Sequence, residues 1–213
     1  YDRSSDSVSK FGITGTATCP CQDGFIVGAD SSLYLFDFKT MKLGLIASFN
    51  DGFGVAFVTE LPDGNILCGS YFDGLRVVNP VSKSIKTPFQ TDGFYITSMF
   101  VDPRGRLWLG LYNTGLKCFT LDGKPLASYS THNSDLSNDI ILSMLEKDGD
   151  LWVGTDGGGI CIITPATGNI RRLENRVGDE NSIPYNSIMK IMPDTFGNIW
   201  AIRVRGGVFV IRD

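Results

Sequence analysis

The chain has 213 residues, of which 42% are hydrophobic and 20% charged, so a sizeable core can form and a disordered chain is excluded. A net charge of −4 leaves no basic footprint for nucleic acid or an anionic membrane. The lone histidine, His132, excludes a His-rich metal site and argues against a His-based triad.

The chain begins Tyr1-Asp2-Arg3-Ser4, with neither an initiator Met nor an apolar signal region, and reads as a mature or excised segment. Ser7-Val8-Ser9-Lys10-Phe11 reads as a lone outer strand. A first, degenerate copy of a repeat follows: Phe25-Ile26-Val27-Gly28 leading into Leu33-Tyr34-Leu35-Phe36. The second copy runs Gly64-Asn65-Ile66-Leu67-Cys68-Gly69 into Gly74-Leu75-Arg76-Val77-Val78. The third runs Gly105-Arg106-Leu107-Trp108-Leu109-Gly110 into Gly115-Leu116-Lys117-Cys118-Phe119. The fourth runs Gly149-Asp150-Leu151-Trp152-Val153-Gly154 into Gly159-Ile160-Cys161-Ile162-Ile163. The fifth runs Gly197-Asn198-Ile199-Trp200-Ala201-Ile202 into Gly207-Val208-Phe209-Val210-Ile211. The anchors Gly28, Gly69, Gly110, Gly154 and Ile202 are spaced by 41, 41, 44 and 48 residues. A period near 40–45 with short strands belongs to propellers, and Gly, Asn, Asp or Pro interrupts each copy too often for a helical solenoid.

One repeat reads as four strands: Ile96 to Val101, Leu107 to Leu111, Leu116 to Leu121 and a polar outer strand from Pro125 to Tyr129. Gly, Asn or Asp stands in each intervening turn, as tight hairpins with φ > 0 require. The fold expected is an all-β, single-domain β-propeller over 1–213, of about five four-stranded blades, as a closed ring or as an arc of a larger one. The repeats are taken as 13–50, 55–90, 96–129, 140–174 and 188–213. Closure would pair residues 7–11 with the strand ending at Ile211-Arg212-Asp213 and hide two edges.

Five cysteines without a CxxC pair exclude the zinc and thioredoxin patterns. They read as small buried hydrophobes, with a disulfide from Cys19 or Cys21 as the rival. Trp108, Trp152 and Trp200 share one repeat position and read as packing residues between blades rather than sugar platforms. Gly74, Gly115, Gly159 and Gly207 read as hairpin glycines; no Lys-Ser/Thr follows Gly157-Gly158-Gly159, so a phosphate cradle is rejected. His132 reads as a solvated loop residue.

The loops after the second strands differ from copy to copy. They offer Asp30, then Tyr71, Phe72 and Asp73, then Tyr112 and Asn113, then Asp156, then Arg203 and Arg205. Aromatic rings beside amides and carboxylates suit sugars, because rings stack on CH groups while polar ends take hydroxyls. Alternate strand direction puts these loops and the spacers between repeats on one propeller face, opposite short turns such as Pro103-Arg104-Gly105. These nine residues are the expected ligand-binding set. No catalytic residue, metal or cofactor is expected, since a carboxylate pair drawn from Asp30, Asp73 and Asp156 is better read as turn chemistry.

Leu136-Ser137-Asn138-Asp139-Ile140, followed by Asp148 to Ile160, resembles the two-component regulator propeller repeat. So does Ser182-Ile183-Pro184-Tyr185-Asn186-Ser187-Ile188 followed by Gly197-Asn198-Ile199-Trp200. The resemblance is strong over 96–213, fair over 55–95 and weak over 13–54; Ile26 and Leu67 replace Trp in the first two copies, and Ile202 replaces Gly in the last. It implies a non-catalytic periplasmic sensor module of an inner-membrane hybrid two-component protein. It further implies an oligosaccharide ligand, further sensor domains and a histidine kinase in the parent chain, and it allows a homodimer. Relatives carry about seven blades per propeller, so five repeats read as a portion of a sensor or a shorter relative. A lectin-like propeller and a five-bladed glycoside hydrolase are the alternatives; equal pockets would need equal loops, and these loops are unequal.

Overall fold

The computed structural model describes residues 12–212; residues 7–11 and their expected pairing lie outside that range. Every regular element among the described residues is a strand, and the chain divides into two compact units, Tyr1–Thr87 and Pro88–Asp213. In the first unit, β1 (Ala17–Cys21), β2 (Gly24–Ala29), β3 (Ser32–Asp37) and β4 (Lys42–Ser48) form one antiparallel sheet in sequence order. A second follows the same order with β5 (Phe57–Glu60), β6 (Ile66–Gly69), β7 (Leu75–Val78) and β8 (Ile85–Lys86).

The second unit holds three sheets. The first comprises β9 (Ile96–Val101), β10 (Leu107–Leu111), β11 (Leu116–Phe119) and β12 (Pro125–Tyr129). The next comprises β13 (Ile141–Lys147), β14 (Asp150–Thr155), β15 (Ile160–Thr164) and β16 (Asn169–Leu173). The last comprises β17 (Ile188–Pro193), β18 (Ile199–Arg203) and β19 (Val208–Ile211), with no fourth strand among the described residues. These up-and-down sheets are the blades of a β-propeller, one blade per repeat.

The anchoring glycine of the repeat is explained by its neighbours. A Cβ on Gly28 would meet Val55 Cγ1 at 2.5 Å, one on Gly110 would meet Ile141 Cγ2 at 2.6 Å, and one on Gly154 would meet Ile188 Cγ2 at 3.0 Å. In each case the obstructing residue enters the first strand of the next blade, so the glycine lets two sheets approach closely. Hydroxyls then stitch neighbouring first strands: Thr16 Oγ1 donates to Val55 O and Thr97 Oγ1 to Ile141 O, each at 2.5 Å. Ser143 Oγ accepts from Ile191 N at 3.0 Å.

The glycine that opens the third strand has a different reason. Gly115 and Gly159 adopt φ of 77° and 74°. A Cβ there would also collide with the carbonyls of Tyr129 and Leu173 on the outer strands.

Alternating side chains build the cores. In the first unit, Ile26, Leu33, Phe53, Val55, Ile66 and Val78 cluster between the two sheets. In the second, Trp108, Cys118, Leu151 and Cys161 fill the space between the first two sheets, and Trp152, Ile162, Ile191 and Ala201 that between the next two. All five cysteines are free; Cys68, Cys118 and Cys161 are buried and Cys19 and Cys21 half-buried against the first core. Burial pushes the Cys68 thiol up to about 12 and the Cys118 thiol up to about 11, so both behave as small hydrophobes.

One expectation needs correcting. Trp108 and Trp152 are packed between blades, but Trp200 is 40% exposed. It lies on the face of the last sheet opposite Ile199 and Ala201, beside Met192 and Val210 on the flanking strands. Period alone could not distinguish it, because the same strand position is buried only where another sheet covers it.

Candidate functional site

The loops after the second strands are built by one hydrogen-bond scheme in the second unit. Tyr112 N donates to Tyr95 O, Asp156 N to Ile140 O and Val204 N to Ser187 O, at 2.9, 3.0 and 3.1 Å. Each bond ties the loop to the residue entering the first strand of its own blade. A second set ties it to the next blade: Gly115 N donates to Asp139 O and Gly159 N to Asn186 O. The scaffold beneath the loops is thus constant, and their side chains are free to differ.

The side chains group as follows. Tyr112 and Tyr95 lie with ring centroids 5.2 Å apart and planes tilted by 33°, and both are exposed. Asn113 takes a left-handed φ of 61° at the loop tip, a conformation that Asn tolerates. Arg205 occupies the equivalent place in the last blade with φ 63°. The Arg203 guanidinium sits 3.9 Å from the centroid of the Tyr185 ring. Asp156 forms an isolated antiparallel bridge with Ser187 and is half-buried. Thr155 beside it is fully buried, donating to Gly159 O and accepting from Gly158 N.

The first unit carries the remaining candidates on two loops. Tyr71 packs edge-on against Phe57 with centroids 5.4 Å apart, Phe72 is 69% exposed, and Asp73 accepts a 2.8 Å hydrogen bond from Ser70. Asp30 is exposed with φ 48°, its carbonyl accepting from Val55 N.

The expected residues therefore fall into two sets: Asp30, Tyr71, Phe72 and Asp73 in the first unit, and Tyr112, Asn113, Asp156, Arg203 and Arg205 in the second. Sequence reasoning missed Tyr95 and Tyr185. Each precedes the first strand of its blade, and the signal was an aromatic residue next to a spacer that the repeat does not require. His132 is solvated as expected, its ring 3.9 Å from Asp139 with a side chain 90% exposed. Among the described residues no cluster of three His, Cys, Asp or Glu side chains could hold a metal ion, and no helix is long and apolar enough to cross a membrane.

This architecture is a β-propeller with constant scaffolds and variable loops at one end of each blade. The comparisons specify the repeats. Residues 91–113 and 135–157 match the two component regulator propeller model. Among solved structures, the extracellular domain of a hybrid two component system from B. thetaiotaomicron is 21% identical, with a TM-score of 0.74 over 96% of this chain and 27% of its own. The extracellular domain of a one component system from the same organism is also 21% identical, with a TM-score of 0.74 over 98% of this chain and 28% of its own. The chain thus spans about a quarter of the length of these relatives. Virginiamycin B lyase from Staphylococcus aureus shares the fold at 15% identity and a TM-score of 0.69, over 93% of this chain and 69% of its own. No curated protein matches the chain.

Proposed function

We propose that the chain is a non-catalytic binding module of a two-component signalling protein, exposed to the periplasm. Its ligand surface is the end of the blades that bears the loops after the second strands. The carrying observation is the exposed Tyr95–Tyr112 ring pair, set beside Asn113 on a hydrogen-bonded scaffold. Two tilted rings present CH-stacking surface to an oligosaccharide, while Asn113 offers an amide to hydroxyls. Arg203 and Arg205 supply positive charge at the equivalent end of the last blade, which suits a ligand carrying an anionic group. In the first unit, Tyr71, Phe72, Asp73 and Asp30 form a second contact area of the same kind. The matched family model and the extracellular neighbours support a sensor reading, with further domains and a kinase in the parent chain. The unequal loops count against a lectin with one pocket per blade.

The test is intrinsic-fluorescence titration with a panel of neutral and uronic-acid oligosaccharides. Tyr112→Ala is expected to weaken binding about 3–10-fold, the worth of one aromatic stacking contact. Arg104→Ala, in the turn at the other end of the blade, is expected to leave it unchanged. The reverse pattern would place recognition at the wrong end of the blades. Hydrolysis of any panel member, lost in Asp73→Asn or Asp156→Asn, would replace the sensor reading with an enzymatic one.

A further inference from the structure

We propose that the groove between the first two sheets is a binding site for a small planar aromatic molecule of about the size of an indole. Both sheets carry four strands, so the groove lies inside the array of blades. Its volume is about 360 Å³, within the range of small-ligand sites. Ile26, Leu35, Ile46 and Ile66 give it apolar lining, and Cys21, Asp23 and Glu60 bring polar atoms to it. It lies at the end of the sheets that bears the turns at Asp23 and Gly64. The loops after the second strands lie at the other end, so the groove is separate from the surface of the proposed sensor function.

The third sheet shows why the space is there. Its register sets Trp108 between Phe100 and Cys118, and Cys118 opposite Ala127. The same register in the first sheet sets Ile26 between Cys19 and Leu35, and Leu35 opposite Gly44. A layer that holds a phenyl ring and an indole in one blade thus holds a thiol and an aliphatic chain in the other, and its outer strand lacks a Cβ. The indole's partner is missing as well. Asp102, two residues past Phe100, accepts the Trp108 N–H, and Cys21 stands two residues past Cys19. Cys21, Ile26, Leu35 and Gly44 all line the groove, so it opens where the third sheet keeps its ring and its acceptor. Trp108 and Trp152 fill the spaces between the sheets of the second unit. A slot between two packed sheets selects a flat body over a branched one, and apolar lining favours a ring over water. The Cys21 sulfur is a weak acceptor and the Asp23 and Glu60 carboxylates are strong ones, which suits a ring bearing one N–H or O–H donor.

The test titrates the whole chain into a fluoroindole and follows the ligand's fluorine NMR signal. Saturable binding with a Kd of about 0.1–1 mM is expected for a ligand of this size. Ile26→Trp supplies the ring from the chain itself and should weaken binding at least about 10-fold. Gly44→Leu fills the slot from the outer strand, where a Cβ meets nothing nearer than Leu35 O at 3.9 Å, and should do the same. Loss in either variant, with the circular dichroism of the parent retained, supports the site. A third readout needs no variant: bound fluoroindole should slow alkylation of Cys21 by iodoacetamide, mapped by mass spectrometry. No saturable response from the whole chain, unchanged binding in both variants, or Cys21 alkylation at the unliganded rate under saturating fluoroindole each overturns the proposal. Competition by cyclohexanol as strong as by indole overturns the planar aromatic class.

Discussion

Trp108 and Trp200 occupy the same position in two blades of one unit, with the same local chemistry and different surroundings. Trp108 Nε1 donates to Asp102 Oδ2 at 2.9 Å, and Trp200 Nε1 donates to Asp194 Oδ2 at 2.9 Å. Asp102 also takes the main-chain N–H groups of Arg104 and Arg106, and Asp194 those of Phe196 and Asn198. Both carboxylates thus lace the turn between first and second strands and hold the indole flat on the sheet. Yet Trp108 is 1% exposed and Trp200 is 40% exposed. The partners adapt to match. Arg106 forms a 2.6 Å ion pair with Asp102 and stacks 5.4 Å from the Trp108 ring, whereas the neutral Asn198 stands in its place beside Asp194. At the anchor, Gly110 admits Ile141 and Ser98, whereas Ile202 carries a side chain where the following sheet would approach. The motif therefore sets the indole's geometry, and the neighbouring sheet sets its energy.

Truncating the two indoles gives the largest expected contrast. Trp108→Ala should cost about 3–5 kcal/mol in urea unfolding, the usual cost of emptying a large core site. Trp200→Ala should cost below about 1 kcal/mol, as for a surface substitution. Equal losses would mean that the Trp200 face is covered in solution.

Removing the carboxylates should separate the blades next. Asp102→Ala leaves the Trp108 N–H buried without an acceptor and Arg106 without its partner, so a loss of about 1–3 kcal/mol is expected. In Asp194→Ala water can reach the freed indole, and thermal unfolding should move far less. A comparable shift in both would show that the turn, not burial, carries the bond's value.

Filling the anchor tests the packing half of the comparison. Gly110→Ala should destabilise by about 1–3 kcal/mol through overpacking against Ile141 and Ser98. Ile202→Ala, with no sheet pressed against it among the described residues of its unit, should be nearly silent. Chemical denaturation of both variants checks this.

The smallest effect is on acid stability. Burial raises the Asp102 carboxyl, but hydrogen bonds from Trp108 and Arg106 and the charge of Arg106 outweigh it and hold the group below the usual carboxylate range. Hydrogen bonds from Asn198, then Trp200 and the turn amides, hold Asp194 at about 2. A depressed folded-state value means that the stabilisation is fully present above the unfolded value near 3.9 and is lost as pH falls through the folded one. Asp102→Asn should therefore flatten the stability profile below about pH 4, and Asp194→Asn should flatten it less because its carboxylate is solvent-screened. An acid titration followed by circular dichroism in which Asp194→Asn gave the larger change would reverse the ranking.

Much of this architecture was legible in the chain itself. Strand bounds such as Ile96–Val101, Leu107–Leu111 and Pro125–Tyr129 follow from period-2 patterning between turn residues, which is a local property. The hairpin role of Gly74, Gly115, Gly159 and Gly207 also followed, because a positive φ is demanded by the turn alone. The candidate loops were identified from their variability, but not their groupings. The pairing of Tyr112 with Tyr95 and of Arg203 with Tyr185 joins residues 17 and 18 positions apart across a hairpin, and no spacing rule announces it.

Sequence by itself thus determined the all-β class, the repeat and the turns, since each depends on backbone preference and short-range alternation. Tertiary structure alone decided which repeated residues are core and which are surface. It separated Trp108 from Trp200 and gave Gly28, Gly110 and Gly154 their purpose. The physical reason is that burial belongs to a pair of sheets, and a residue's own repeat holds only one of the two.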